Sequence, residues 1–200
     1  MIYIPCSNFK KLILLLLLLG TSTNLFAQTL SGSAAFSYSD ELSQSGTDAI
    51  TQKTNTIALV KAGALFSDIF VGLAHYYDSG ITEVTNKTNN TASTSSKTKV
   101  IVSGTGIGLG YHAENGLLLG VNYLLLDVQS KSNVETLKGK SAQIFDLAYR
   151  IDFDSFSIGP QFSLSIFNYE TVERNGTTED LTGTWKEQIF RPYLGIWSNM

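Results

Sequence analysis

Between residues 29 and 39 apolar and polar side chains alternate one by one. Leu30, Gly32, Ala34, Phe36 and Tyr38 fall on one face, and Ser31, Ser33, Ser37 and Ser39 on the other. A strict period of two marks a β-strand lying between an apolar and a polar environment. The same pattern returns near 156–168, where Phe156, Ile158, Phe162, Leu164 and Ile166 oppose Ser157, Gly159, Gln161, Ser163 and Ser165. Near 142–152, Phe145, Leu147, Tyr149 and Ile151 oppose Asp146, Ala148, Arg150 and Asp152. Less regular alternation predicts five more strands, near 54–66, 69–78, 100–112, 117–128 and 185–197. Pro160 and Pro192 fall inside two of the eight, and each removes one ladder donor.

The connections alternate in length. Tight turns are predicted at Ser67-Asp68, at Ala113 to Gly116 and at Phe153-Asp154-Ser155, and polar connections at 40–53, 79–98, 129–140 and 170–184. Stretch 79–98 is rich in Thr, Ser and Asn, too poor in apolar area to offset its ordering entropy, so mobility is expected there. Short turns on one side and long connections on the other suit a chain whose two ends lie on the same side of a membrane.

Residues 1–27 read as a cleaved signal peptide. Lys10 and Lys11 precede an apolar run from Leu12 to Leu19, and Leu25-Phe26-Ala27 offers a small residue before Gln28. That run falls short of the ~20 residues of a spanning helix, and no later stretch approaches that length. Residues 28–200 then form one domain without cysteine, since Cys6 is the only one, which excludes disulfides and thiol chemistry. Loss of Lys10 and Lys11 leaves twelve basic residues against seventeen acidic ones, a balance of −5. Mild acidity with no basic cluster argues against nucleic acid as a partner.

Alternation alone does not say which face meets water. A soluble lipocalin-like binder would turn its apolar face inward; a membrane barrel turns it out. Aromatic residues are expected in two girdles. Phe66, Phe70, Tyr111, Phe153 and Phe156 stand by the short turns, and Tyr38, Tyr76, Tyr77, Phe167, Tyr169 and Trp185 by the long connections. On strand pattern, connection lengths and aromatic positions, the mature chain resembles the small OmpA/OmpX-type outer-membrane barrels. The resemblance implies an all-β fold, an eight-stranded antiparallel up-and-down transmembrane β-barrel in the cell outer membrane. It also implies outer-membrane lipids and the barrel-assembly machinery as partners, and a monomer. Such barrels usually end on an aromatic residue, whereas here Trp197 is followed by Ser198, Asn199 and Met200.

Charges in so narrow a bore must pair. Asp146, Arg150 and Asp152 share one polar face and Glu187 and Arg191 another, which predicts a structural ion-pair network joined by Lys61. Gly104, Gly106, Gly108 and Gly110 do not form G-x-G-x-x-G, and are expected to face the bore and make room for bulkier neighbours. His75, Asp78 and Ser79 offer the residue types of an acyl-transfer site, but a strand puts His75 and Asp78 on opposite faces. His112 and Glu114 are too few to make a metal site. No cofactor and no catalytic activity are expected. The expected role is a scaffold whose outward connections meet an extracellular ligand. The alternatives are a narrow solute channel, a lipid-modifying enzyme or a soluble ligand binder.

Overall fold

A computed structural model describes residues 28–45, 49–88 and 91–199, without the side chains of 28–29, 44–45, 49, 86–88, 91–95, 182–185 and 199. The signal-peptide segment and the Trp185 side chain therefore lie outside what is described. The chain is all-β. Its strands are β1 (Gln28–Ser45), β2 (Ala49–Phe66), β3 (Ile69–Thr88), β4 (Thr91–His112), β5 (Leu117–Lys131), β6 (Thr136–Tyr149), β7 (Ile151–Asp152), β8 (Phe156–Arg174) and β9 (Thr177–Asn199). Strand β7 continues β6 past Arg150, and both pair with β8. Neighbours pair antiparallel in chain order and β9 returns to β1, so the sheet closes as an eight-stranded ring.

The register fixes the shape of the ring. From Trp197 on β9 the lateral partners run Ser33, Lys61, Ala74, Gly106, Leu124, Ala142 and Phe167, and the path re-enters β9 at Glu187, ten residues away. A ten-residue stagger over eight strands tilts them by about 40° and gives a backbone radius of about 8 Å. That width holds side chains and little else.

Side chains sort by parity. Leu30, Phe36, Leu73, Leu109, Phe162 and Leu194 point out; Lys61, Asp146, Asn122, Gln161 and Ser163 point in. Exposure of outward positions is high, 66% at Leu30 and 59% at Leu73, while Gln161 and Ser163 are 1% exposed.

The expected tight turns stand at Ser67-Asp68, 113–116 and 153–155. The expected long connections do not. Most of 40–53, 79–98, 129–140 and 170–184 is paired strand, with pairs such as Asp40↔Thr54, Glu83↔Lys97 and Val172↔Glu179. Only 132–135 interrupts the third and Asn175-Gly176 the fourth. Asn175 (φ 50°) and Gly176 (φ 80°) both adopt the left-handed conformation that a two-residue hairpin turn demands. These stretches carry polar residues on both faces, so the period of two disappears although Thr suits a strand well.

Candidate functional site: the filled interior and its mouth

The interior is stacked in layers. At the short-turn end, Trp197 (2% exposed), Leu118 and Ala148 form an apolar plug. The Trp197 indole lies across Gly195, where any β-carbon would overlap the ring. Phe70 stacks on His112, with ring centroids 6.2 Å apart. Arg150 Nη1 lies 3.2 Å from His112 Nδ1, and its Nε lies 2.9 Å from Asp152 Oδ1. Ser157 donates to the same Asp152 oxygen at 2.6 Å.

Above the plug sits a polar hub. The fully buried Asp146 carboxylate accepts from Lys61 Nζ at 3.1 Å, Asn122 Nδ2 at 2.7 Å, Gln161 Nε2 at 3.1 Å and Ser163 Oγ at 2.6 Å. Strands β2 and β6 stand diametrically opposite in an eight-membered ring, so the Lys61–Asp146 pair is a strut across the bore. Gly120 leaves room for it: a β-carbon there would stand 3.2 Å from Asp146 Oδ2. Burying the pair costs desolvation, which the three neutral donors offset by filling the remaining lone pairs.

The next layer is apolar, with Ile57, Leu59, Leu124, Ile144, Tyr76 and Phe167 in one core cluster. Tyr76 and Phe167 meet from opposite strands at 5.3 Å between ring centroids. The Tyr76 hydroxyl donates to Asp78 Oδ2 at 3.5 Å and hydrogen-bonds Tyr193. Arg191 Nη2 approaches the same Asp78 oxygen only to 3.9 Å, and the buried Asp78 Oδ1 has no partner among the described residues.

A cavity of about 300 Å³ opens at the far mouth, lined by Val100, Leu137, Tyr169, Lys186 and Glu187 among others. Tyr169 donates to Glu187 Oε2 at 3.0 Å on its floor. Arg174 grips Glu135 Oε2 at its rim, 2.7 Å from both Nε and Nη2. Out on the strand extension, Lys138 lies 2.6 Å from Glu173 and holds that carboxyl below the usual range. Below the hub a void beside Lys61, His112 and Trp197 is about 10 Å³, no larger than one water.

The five charges expected to form one network are thus divided. Asp146 belongs to the central hub, Arg150 and Asp152 to the plug, Arg191 to Asp78 and Glu187 to Tyr169. Lys61 holds the hub. Asp78, which sequence reasoning placed with His75 and Ser79, serves Arg191 instead.

The aromatic residues divide as well. Phe66, Tyr111, Phe153 and Phe156 are exposed near the short turns and Tyr38 near the mouth, with Tyr77 half-buried on the outer face. Phe70, Tyr76, Phe167 and Tyr169 instead turn inward and are at most 4% exposed. They belong to the interior packing, not to an outward belt, because parity in the register overrides nearness to a strand end.

His75 faces outward, its Nδ1 2.8 Å from Thr105 Oγ1. Ser79 lies four residues further along the strand, about 13 Å away, so the two form no nucleophile–base pair. Glu114 is an exposed turn residue, whereas His112 is buried. Among the described residues no three His, Cys, Asp or Glu side chains converge on a metal-binding arrangement. No family model and no curated protein matches this chain.

Proposed function

We propose that this chain is an integral outer-membrane β-barrel, a closed structural scaffold that carries stiff polar hairpins to the cell surface. One observation carries the reading: the molecule is inside out. Outward positions from Phe156 to Ile166 on β8, or from Ile69 to Tyr77 on β3, are almost wholly apolar. Eight to ten residues at about 3.4 Å each, tilted by about 40°, span roughly 20–26 Å, close to the ~25 Å apolar band of membrane barrels. Such a surface in water would be one continuous aggregating patch. The buried charges and amides of the interior are what a soluble binder would put outside.

The filled bore speaks against a conducting role. Two cross-bore contacts, Lys61–Asp146 and Tyr76–Phe167, stand at different depths, and the void beneath them holds at most a water molecule. Function then rests on the extensions, which are paired strands with polar faces and suit presentation to an extracellular ligand better than enclosure of a solute.

The test is to fractionate expressing cells and run the outer-membrane fraction on a gel with and without boiling. The proposal expects a detergent-resistant band that shifts on heating, and no discrete conductance steps in planar bilayers. A soluble periplasmic protein without a heat shift would sink it.

A further inference from the structure

The wall of the ring has one incomplete seam. Strands β1 and β9 pair from Ser31↔Asn199 to Phe36↔Leu194, and the ladder goes no further although both strands continue. The alternation of backbone hydrogen bonds explains where it stops. Phe153 N donates to Phe156 O, so Phe156, Ile158, Pro160 and Phe162 direct their backbone groups toward β6 and β7. Gln161 then faces β9 and its partner Tyr193 faces back, which turns Pro192 and Leu194 toward β1. Of the two bonds of the next pair, Tyr38 with Pro192, one would need an N–H on Pro192, and proline has none.

A cavity of about 510 Å³ occupies the seam. Both parities of both strands line it, so it passes through the wall. Its inner lip is mostly polar, with Ser37, Ser39, Asn55 and Arg191 beside Ile189; its outer lip is Tyr38, Phe190 and Pro192 with Gln188. Tyr38 and Phe190 are each 68% exposed, and Phe190 stacks on Phe162 at 6.1 Å further along the outer face. The Arg191 guanidinium is a quarter exposed, with a carboxylate no nearer than 3.9 Å among the described ion pairs. Glu41 is exposed at the upper rim, where water screens it.

We propose that this seam is a lateral binding site for a single-chain anionic amphiphile, a long-chain fatty carboxylate from the surrounding membrane. The carboxylate sits against Arg191, whose planar fork matches two oxygens. Its oxygens also accept from the Ser37 and Ser39 hydroxyls. The alkyl chain leaves between the strands over Pro192 and Phe190 toward Phe162, remaining in lipid throughout. The unpaired edge of β1 adds a reason for a polar occupant, since backbone groups left open at membrane depth are costly without an acceptor or donor. The site rests on the membrane reading for its ligand source, but not for its geometry.

The test uses diazirine-bearing palmitate on the full folded chain in detergent micelles, with adducts mapped by mass spectrometry. Adducts are expected on 37–41 and 188–192. They should fall at least tenfold with the hexadecanol analogue of the same chain length, and equally in Arg191→Gln. Pro192→Val, which restores the donor and lets the ladder close, should lower them while leaving Asp78 its Arg191 partner. Adducts spread evenly over the outer surface, or seam adducts unchanged in Arg191→Gln and for hexadecanol, would overturn the proposal. If the chain proves soluble without detergent the membrane reading fails, and the same labelling in buffer still decides the seam.

Discussion

Lys61→Met tests whether the cross-bore strut holds the ring. The substitution keeps the length of the side chain and removes its charge, leaving Asp146 fully buried with three neutral donors, from Asn122, Gln161 and Ser163. Removing one partner of a buried pair costs about 3–5 kcal/mol. The surviving hydrogen bonds place this case at the low end, about 3 kcal/mol. With a urea slope of about 2 kcal/mol/M for a chain of this size, the midpoint should drop by roughly 1.5 M. The measurement is equilibrium urea unfolding in phospholipid vesicles, followed by tryptophan emission.

Lys61→Met/Asp146→Asn supplies the second arm. With both charges gone and an amide oxygen left at position 146 for the Asn122, Gln161 and Ser163 donors, much of the loss should return. The exposed Lys140–Glu170 pair, 3.7 Å apart with side chains 73% and 56% exposed, is the control; Lys140→Met should cost less than about 0.5 kcal/mol. A midpoint shift below about 0.3 M for Lys61→Met, or a double variant as poor as the summed singles, would refute the strut.

Two further outcomes follow from the outer and inner faces. His75→Leu removes a polar side chain from an otherwise apolar outward face, and should stabilise the protein by about 1 kcal/mol in vesicles; a loss of that size would mean that His75 does not face lipid. Gly195→Val drives a branched side chain into the Trp197 indole, and should cost about 2–3 kcal/mol with a red shift of Trp197 emission in a Trp185→Phe background. Unchanged emission would contradict the packing of the plug.

The strands at 29–39 and 156–168 were legible because one face is apolar and the other polar over their whole length. Legibility fails wherever both faces meet the same medium. The extensions at 79–88 and 91–98 are mostly polar and read as loop, yet they are ladder. One signal was available: Asn175-Gly176 is the dipeptide most typical of a two-residue hairpin turn, and it lies inside the stretch read as a long connection. On β3 the failure is opposite. Phe70 and Tyr76 are as apolar as outward Ile69 and Leu73, so the sequence does not say which parity points in. The cross-bore contacts were out of reach for a different reason. Lys61 meets Asp146, and Arg191 meets Asp78, only because the ladder staggers by ten residues around the ring, and that number belongs to the register as a whole.

The seam between β1 and β9 is weak for a topological reason as well as a chemical one. Every other pair of neighbouring strands is sequential in the chain and tied at one end by a turn or a short connection, so its register is held covalently and its loop-closure cost is small. β1 and β9 have no such connection, and among the described residues their ladder runs only from Ser31 to Phe36. A proline placed there removes a bond where few exist, and it stands beside Tyr38 and Phe190, the most exposed aromatic residues among those described. The same proline at position 160 is less consequential, because β7 and β8 resume pairing beyond it at Ile151↔Ile158. Pro192→Val should therefore do more than add one hydrogen bond of about 1 kcal/mol. By letting Tyr38 and Asp40, whose amides face β9, pair in turn, it should slow their exchange by at least tenfold while leaving the amides of Ser37, Ser39 and Glu41, which face β2, unchanged. Exchange that slows nowhere beyond residue 38 would mean that the strands diverge for reasons of shape, and that the missing donor only marks the point where they part.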